Sequence, residues 1–235
     1  MQLIDTHNHL DCPDFADDRQ AVLRRSRERG VIRQVLLGVF RENWEDVWTL
    51  VEQEPDLYAA LGLHPIYLAR HRAEHLAALR EWLERLAGHP KLCAVGEIGL
   101  DYYLEDLDRD GQQAIFEDQL RAAIDFELPV LLHVRRSHAA VIATLKRFKP
   151  PRQGIIHAFA GSREEAREYL RLGFRLGLGA RRPGRRPIAC ARWCRRFRWN
   201  PSCWRPTRRT WRRPCTPASA TAPNTCRRSA QHWQS

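Results

Sequence analysis

The chain has 235 residues, 43% hydrophobic and 29% charged, enough for one domain with a sizeable core or a single α/β barrel. Its net charge of +11 is lopsided: fifteen of the 39 basic residues and none of the 28 acidic ones lie in residues 181–235, leaving 24 basic against 28 acidic in residues 1–180, so the body is mildly acidic and basicity is no argument for nucleic acid there. No stretch of about 18 apolar residues is present, which excludes a membrane-spanning helix, and the start has no basic-then-apolar pattern, so the expected location is the cytoplasm.

Residues 1–180 alternate short apolar runs with amphipathic stretches. The runs Gln2–Thr6, Gln34–Val39, Tyr58–Leu63, Leu92–Gly96, Pro129–His133, Gly154–Phe159 and Phe174–Gly179 predict seven strands buried on both faces, as in a parallel sheet. The stretches between them predict helices. Phe116, Leu120, Ala123 and Ile124 share one helical face, and Ser162 with Glu165 makes a capping box ahead of Ala166, Tyr169 and Leu170. Strands alternating with helices predict a TIM-like (βα) barrel with about seven of its eight units present. A missing unit would leave two strand edges unpaired.

Four predicted strands end in residues that carry chemistry. His7 and His9, two apart on an extended segment, point to one side and are able to grip one cation; an HxH in an ordinary loop is the plain alternative. Glu97 follows the fourth run, where a surface carboxylate is the plain alternative. His133 and His157 close the fifth and sixth runs, and each alone reads as a satisfied core histidine. Together they read differently, because catalytic groups of a (βα) barrel gather at the C-terminal ends of its strands, and a core histidine has no reason to recur at that position. Imidazoles with a carboxylate suit a divalent metal ion. Around them, Arg135 is a candidate for a phosphate oxygen or for covering a helix end. His64 either lines the pocket or serves the structure, and Tyr102 either stacks on a base or packs in the rim.

The strings DTHNHLD (Asp5–Asp11), GLHP (Gly62–Pro65), GEIGLDYY (Gly96–Tyr103), LPVLLHVR (Leu128–Arg135) and GIIHAFAGS (Gly154–Ser162) resemble, in order, the motifs of the TatD family of metal-dependent deoxyribonucleases. The resemblance covers residues 1–180. It implies two divalent ions (Mg, Mn or Zn), one held by His7 and His9, the other by His133 and His157, with Glu97 bridging them as a catalytic residue. It implies DNA as substrate and hydrolysis of its phosphodiester bonds, with no membrane and no stable protein partner. Another amidohydrolase-type barrel, cutting an amide, lactone or phosphotriester, is the alternative within enzymes; many of those bridge their metals with a modified lysine, and no Lys stands beside Glu97. Two non-enzymatic readings also fit: an inactive product of a damaged gene, and a binding protein that uses its Arg-rich tail.

The family also uses an Asp from a TDAP motif, and residues 181–235 contain no acidic residue. They also lack Leu and Val, yet hold Trp193, Trp199, Trp204, Trp211 and Trp233, and the cysteines Cys190, Cys194, Cys203, Cys215 and Cys226 without a CxxC pair. This composition predicts a tail without a packed core. It also fits translation in the wrong frame. Moved by one base, Trp199–Asn200 must encode Glu and Cys203–Trp204 must encode Leu; permissible codons let Arg198 to Pro214 read LESLVLETDAPDMAPP, and PEYLP follows from Ala222 onward. A strand running into LETDAP is what the resemblance implies for the eighth unit.

Overall fold

The computed structural model describes residues 2–104 and 106–177. Within them strands and helices alternate: β1 (Leu3–Asn8), α1 (Arg19–Glu28), β2 (Val31–Leu37), α2 (Trp44–Gln53), β3 (Leu57–Leu61), α3 (Ala73–Arg85), β4 (Leu92–Asp101), α4 (Arg109–Asp125), β5 (Val130–Arg135), α5 (His138–Phe148), β6 (Gly154–Ile156), α6 (Arg163–Arg171) and β7 (Arg175–Leu176). All seven strands are parallel and lie in sequence order. Each predicted run contains its strand or overlaps it. The seventh run extends past residue 177, and the expectations for residues 181–235 lie outside the described residues. Among the described residues no helix is long and apolar enough to cross a membrane.

The sheet is curled. Laid flat, β1 and β6 would stand about 24 Å apart, five steps of strand spacing. Instead, the ring of His7 in β1 and that of His157 just after β6 lie 3.4 Å apart at their centroids. A TIM-like barrel wall built from sequential βα units accounts for that meeting. Among the described residues, β1 pairs with β2 alone and β7 with β6 alone.

Alternation along the strands sorts the core into two layers. Leu36, Leu61, Val95 and Leu132 face the helices and pack with Trp44, Leu79, Phe116, Leu120 and Tyr169. Val35, Leu37, Ala60, Ala94 and Leu131 form a smaller cluster on the other face, with Ile155 against it. Two residues beyond Leu131 comes His133, and two beyond Ile155 comes His157, so the same alternation stacks the histidines above this inner layer. At α6, Ser162 and Glu165 form the expected capping box: Glu165 N–H donates to Ser162 Oγ at 3.2 Å, and Ser162 N–H donates to Glu165 Oε2 at 2.6 Å.

Candidate metal centre

Glu97 sits inside β4, not past its end. The strand runs on to Asp101, and the pairing with β5 slips at this point, from Gly96 opposite Leu131 to Ile98 opposite Leu132. A bulge of this kind re-aims one side chain out of the regular alternation. Two glycines allow it. A Cβ at Gly96 would come within 2.7 Å of Leu131 Cβ; one at Gly99, where φ is +136°, would come within 2.1 Å of the His133 carbonyl oxygen. Bare backbone at both positions lets β4 and β5 close together and sets Glu97 beside His133.

The Glu97 carboxylate, 2% exposed, is surrounded by imidazoles. Its Oε2 lies 3.2 Å from His7 Nε2, 3.8 Å from His9 Nε2 and 3.5 Å from His64 Nε2; its Oε1 lies 3.2 Å from His133 Nδ1. Two sets of three donors result, His7–His9–Glu97 and His64–Glu97–His133, each spanning no more than 4.8 Å. His157 stands outside both sets, its ring flat against His7 at an interplanar angle of 15°. The tautomer of His64 is fixed by the backbone. Its Nδ1 accepts the Ile66 N–H at 3.1 Å, so in the neutral ring the proton is on Nε2, and it is an N–H that faces Glu97. Among the site residues read from the sequence, His7, His9, His64, Glu97, His133 and His157 thus converge. Arg135 stands one residue away, its Nη1 4.0 Å from Asp101 Oδ2. Tyr102 packs half-buried against the core, with the Arg109 guanidinium 4.7 Å from its ring.

Burial penalises charge throughout this nest. It holds His7, His64 and His157 below the ordinary histidine value, His64 at about 4, so these rings are neutral at pH 7 and keep a lone pair. Burial also works to raise Glu97, but the surrounding His7, His64 and His133 outweigh it and hold the carboxyl well below its usual range. His133 goes the other way. Burial opposes its charge, yet it donates to Asp101 Oδ2 at 2.9 Å from Nε2 and faces Glu97 from Nδ1, and these carboxylates lift it to about 9. A proton shared between two buried carboxylates occupies a place that favours positive charge. An anionic carboxylate whose ion-pair contacts among the described residues are all to histidines is a candidate donor set for a metal ion.

Asp101 and two glutamines complete the site, and the sequence reading missed them. Asp101 is fully buried; its Oδ1 accepts the Tyr103 N–H at 2.9 Å while Oδ2 takes His133. Gln112 on α4 clamps its backbone, accepting from Asp101 N at 2.8 Å and donating to Asp101 O at 3.0 Å. Gln119, two turns further along α4, does the same for Leu63, at 2.7 and 3.1 Å, and so fixes the segment that presents His64. A buried glutamine pair seven residues apart on one helix was the available signal.

A family model described as TatD related DNase matches residues 4–185. The match stops within a few residues of Arg181, where the composition changes. Over 178 residues, 76% of this chain and 68% of the relative, the sequence is 41% identical to the uncharacterized metal-dependent hydrolase YjjV of Escherichia coli (strain K12). It is 33% identical to a protein named 3'-5' ssDNA/RNA exonuclease TatD in Erwinia tasmaniensis, over 75% of this chain and 67% of that one. The crystal structure of YjjV superposes with a TM-score of 0.71, covering 74% of this chain and 66% of that chain. The chain spans about two thirds of the length of these relatives. A family match over most of its length, joined to this identity and this superposition, establishes that the chain belongs to the TatD family of DNases.

Proposed function

We propose that the chain hydrolyses phosphodiester bonds of DNA, removing nucleotides from a strand end, with two divalent ions (Mg, Mn or Zn) that share Glu97. The observation that carries this reading is the buried Glu97 carboxylate with four imidazole nitrogens within 3.8 Å. His7 and His9 hold one ion. His133 and His157 hold the other, a choice supported by the tautomer of His64, which offers Glu97 a proton rather than a lone pair. When bound, such ions supply Lewis-acid stabilisation of charge on the attacking and leaving oxygens. The protein's own part is orientation. Glu97 is held by the bulge. Asp101 fixes His133 with Nε2 protonated and Nδ1 turned to Glu97, as a carboxylate behind a metal-binding imidazole does. His64 donates toward Glu97, and Arg135 stands ready for a phosphate oxygen. The strand-end reading takes its substrate class from relatives named as single-strand exonucleases. The reading includes a cytoplasmic setting.

The test is titration of chelator-stripped protein with Mn²⁺, followed by hydrolysis of end-labelled single-stranded DNA. The expected result is two ions per chain, both lost in Glu97→Gln, and hydrolysis that EDTA stops. Undiminished Mn²⁺ binding in Glu97→Gln, or hydrolysis indifferent to EDTA, would overturn the assignment.

A further inference from the structure

Beside the candidate metal centre stands a ring that the sequence reading left out. Tyr103 is 43% exposed, and two guanidiniums converge on it: Arg135 Cζ lies 3.6 Å from the ring centroid and Arg136 Cζ 4.7 Å. Consecutive residues at the end of a strand normally point to opposite faces. Here both reach the Tyr103 ring, and Arg136 adopts φ +55°, a left-handed conformation that a non-glycine residue seldom takes. That turn brings both cations to the one aromatic ring. Backbone strain of this kind persists where the surroundings demand it, commonly at ligand sites.

The cluster is also tied to the metal centre by a rigid link. The Tyr103 N–H donates to Asp101 Oδ1 at 2.9 Å, and the other oxygen of the same buried carboxylate accepts from His133 and lies 4.0 Å from Arg135 Nη1. Asp101 is clamped in turn by Gln112. The Tyr103 backbone and the Arg135 guanidinium therefore lie one side chain away from a proposed metal ligand, while the Arg135 side chain remains half exposed.

We propose that Tyr103, Arg135 and Arg136 form a subsite for a single-stranded polynucleotide, stacking one base and neutralising its phosphate next to the scissile bond. This rests on the nuclease reading above. An aromatic face with guanidiniums beside it is the pairing that holds unpaired bases without reading their sequence. A duplex, whose bases are already stacked on one another, gains only the charge contact. The subsite thus selects single strands at the position adjoining the cut.

The experiment uses the full chain with Mn²⁺ and a fluorescent ten-thymidine oligonucleotide whose phosphorothioate backbone resists cleavage, read by anisotropy. Mn²⁺ affinity is measured in parallel on every variant. The fifteen arginines of residues 181–235 add a charge background that is the same in each variant, so ratios to the unmodified chain are compared. Tyr103→Ala should weaken oligonucleotide binding about tenfold, within the range for loss of one base stack, and Tyr103→Phe should restore it. Arg136→Met should shallow the salt dependence by the equivalent of one phosphate contact, a slope change of about 0.7. A matching duplex should bind more weakly than the single strand and be indifferent to Tyr103→Ala. Oligonucleotide binding unchanged in Tyr103→Ala, with Mn²⁺ still taken up, overturns the subsite and leaves the metal reading standing. Equal dependence of duplex and single strand on Tyr103 overturns it too. A chain that takes up no Mn²⁺ brings down the nuclease reading and the subsite together.

Discussion

The imidazole of His7 lies face to face with that of His157, 3.4 Å between centroids, although the two belong to β1 and to the turn after β6. Two cationic rings would repel at that distance. Burial keeps both neutral, and the stack sets a ring from the turn after β6 against one whose Nε2 lies 3.2 Å from the Glu97 carboxylate.

Asp101 acts on the proposed metal site only through His133. Asp101→Asn preserves size but presents an amide that no longer draws the His133 Nε2 proton with a full negative charge. Mn²⁺ affinity should fall about 10- to 100-fold, measured by calorimetry. In the metal-free protein, His133, followed by its nitrogen chemical shifts, should lose its proton at a lower pH than in the unmodified chain, because one of the two carboxylates that raise it is gone. An unchanged titration with unchanged affinity would assign Asp101 to packing alone.

The stability of the metal-free protein should peak near pH 6.5. The folded-state value of His133 is raised to about 9, so its contribution is fully present below about 6.5 and is lost as pH rises toward 9. His7, His64 and His157 are lowered, so the unfolded chain takes up protons that the folded one refuses, and stability also falls below about 6.5. Thermal melts in EDTA from pH 4.5 to 9.5 trace the curve. Saturating Mn²⁺ should remove the alkaline decline, because a cation then replaces the His133 proton.

Gly99→Ala should destabilise the fold by about 3 kcal/mol, at the upper end for a single strained substitution. The added Cβ would meet the His133 carbonyl oxygen at 2.1 Å, in a backbone conformation at φ +136° that alanine avoids. Urea unfolding measures the loss. Gly88→Ala, also at positive φ but with nothing within 4 Å, is the control: it carries the conformational penalty without the collision, and should cost about 1 kcal/mol.

The proposed frame error predicts that the chain as written is a poor nuclease, since residues 181–235 offer no carboxylate and loss of a general base costs about 10²- to 10⁴-fold. A version with one base added or removed near the Ala180 codon should gain the LETDAP segment, and with it solubility and hydrolysis of single-stranded DNA in Mg²⁺. Equal solubility and activity of the two versions would make residues 181–235 a working part of the enzyme.

The seven strands were legible because parallel strands covered on both faces read as unbroken apolar runs, and the histidines because each stands just where such a run gives way to polar sequence. Glu97 was legible as a residue but not as a bulge. The apolar run Leu92–Gly96 stops at a charged side chain, and only pairing with β5 shows the strand continuing to Asp101. Asp101 was hidden by its own chemistry: in GEIGLDYY an acid beside two tyrosines reads as surface, and its burial depends on a histidine 32 residues away. Gln112 and Gln119 share the helical face of Phe116 and Ala123, but what they bond stayed hidden for the same reason. Their partners are backbone groups of Asp101 and Leu63, which no side-chain pattern announces. Tyr103 was passed over for Tyr102 because nothing local tells which of two adjacent tyrosines faces outward; the left-handed turn at Arg136 decides it.

The meeting of His7 and His157 makes the sheet a hoop with a clasp. The proposed donors at residues 7, 9, 97, 133 and 157 come from widely separated parts of the chain, so an ion gripped among them would work on the polypeptide as a cross-link, tying its first strand to its fourth and fifth. With the clasp open, β1 is the strand freest to peel, since among the described residues it pairs with β2 alone. Amide exchange in β1 would then track the free metal concentration, while amides of β4 and β5, flanked on both sides, exchange at a rate the ion hardly touches. In such a molecule, scarcity of metal would expose the N-terminal strand before it dissolved the core.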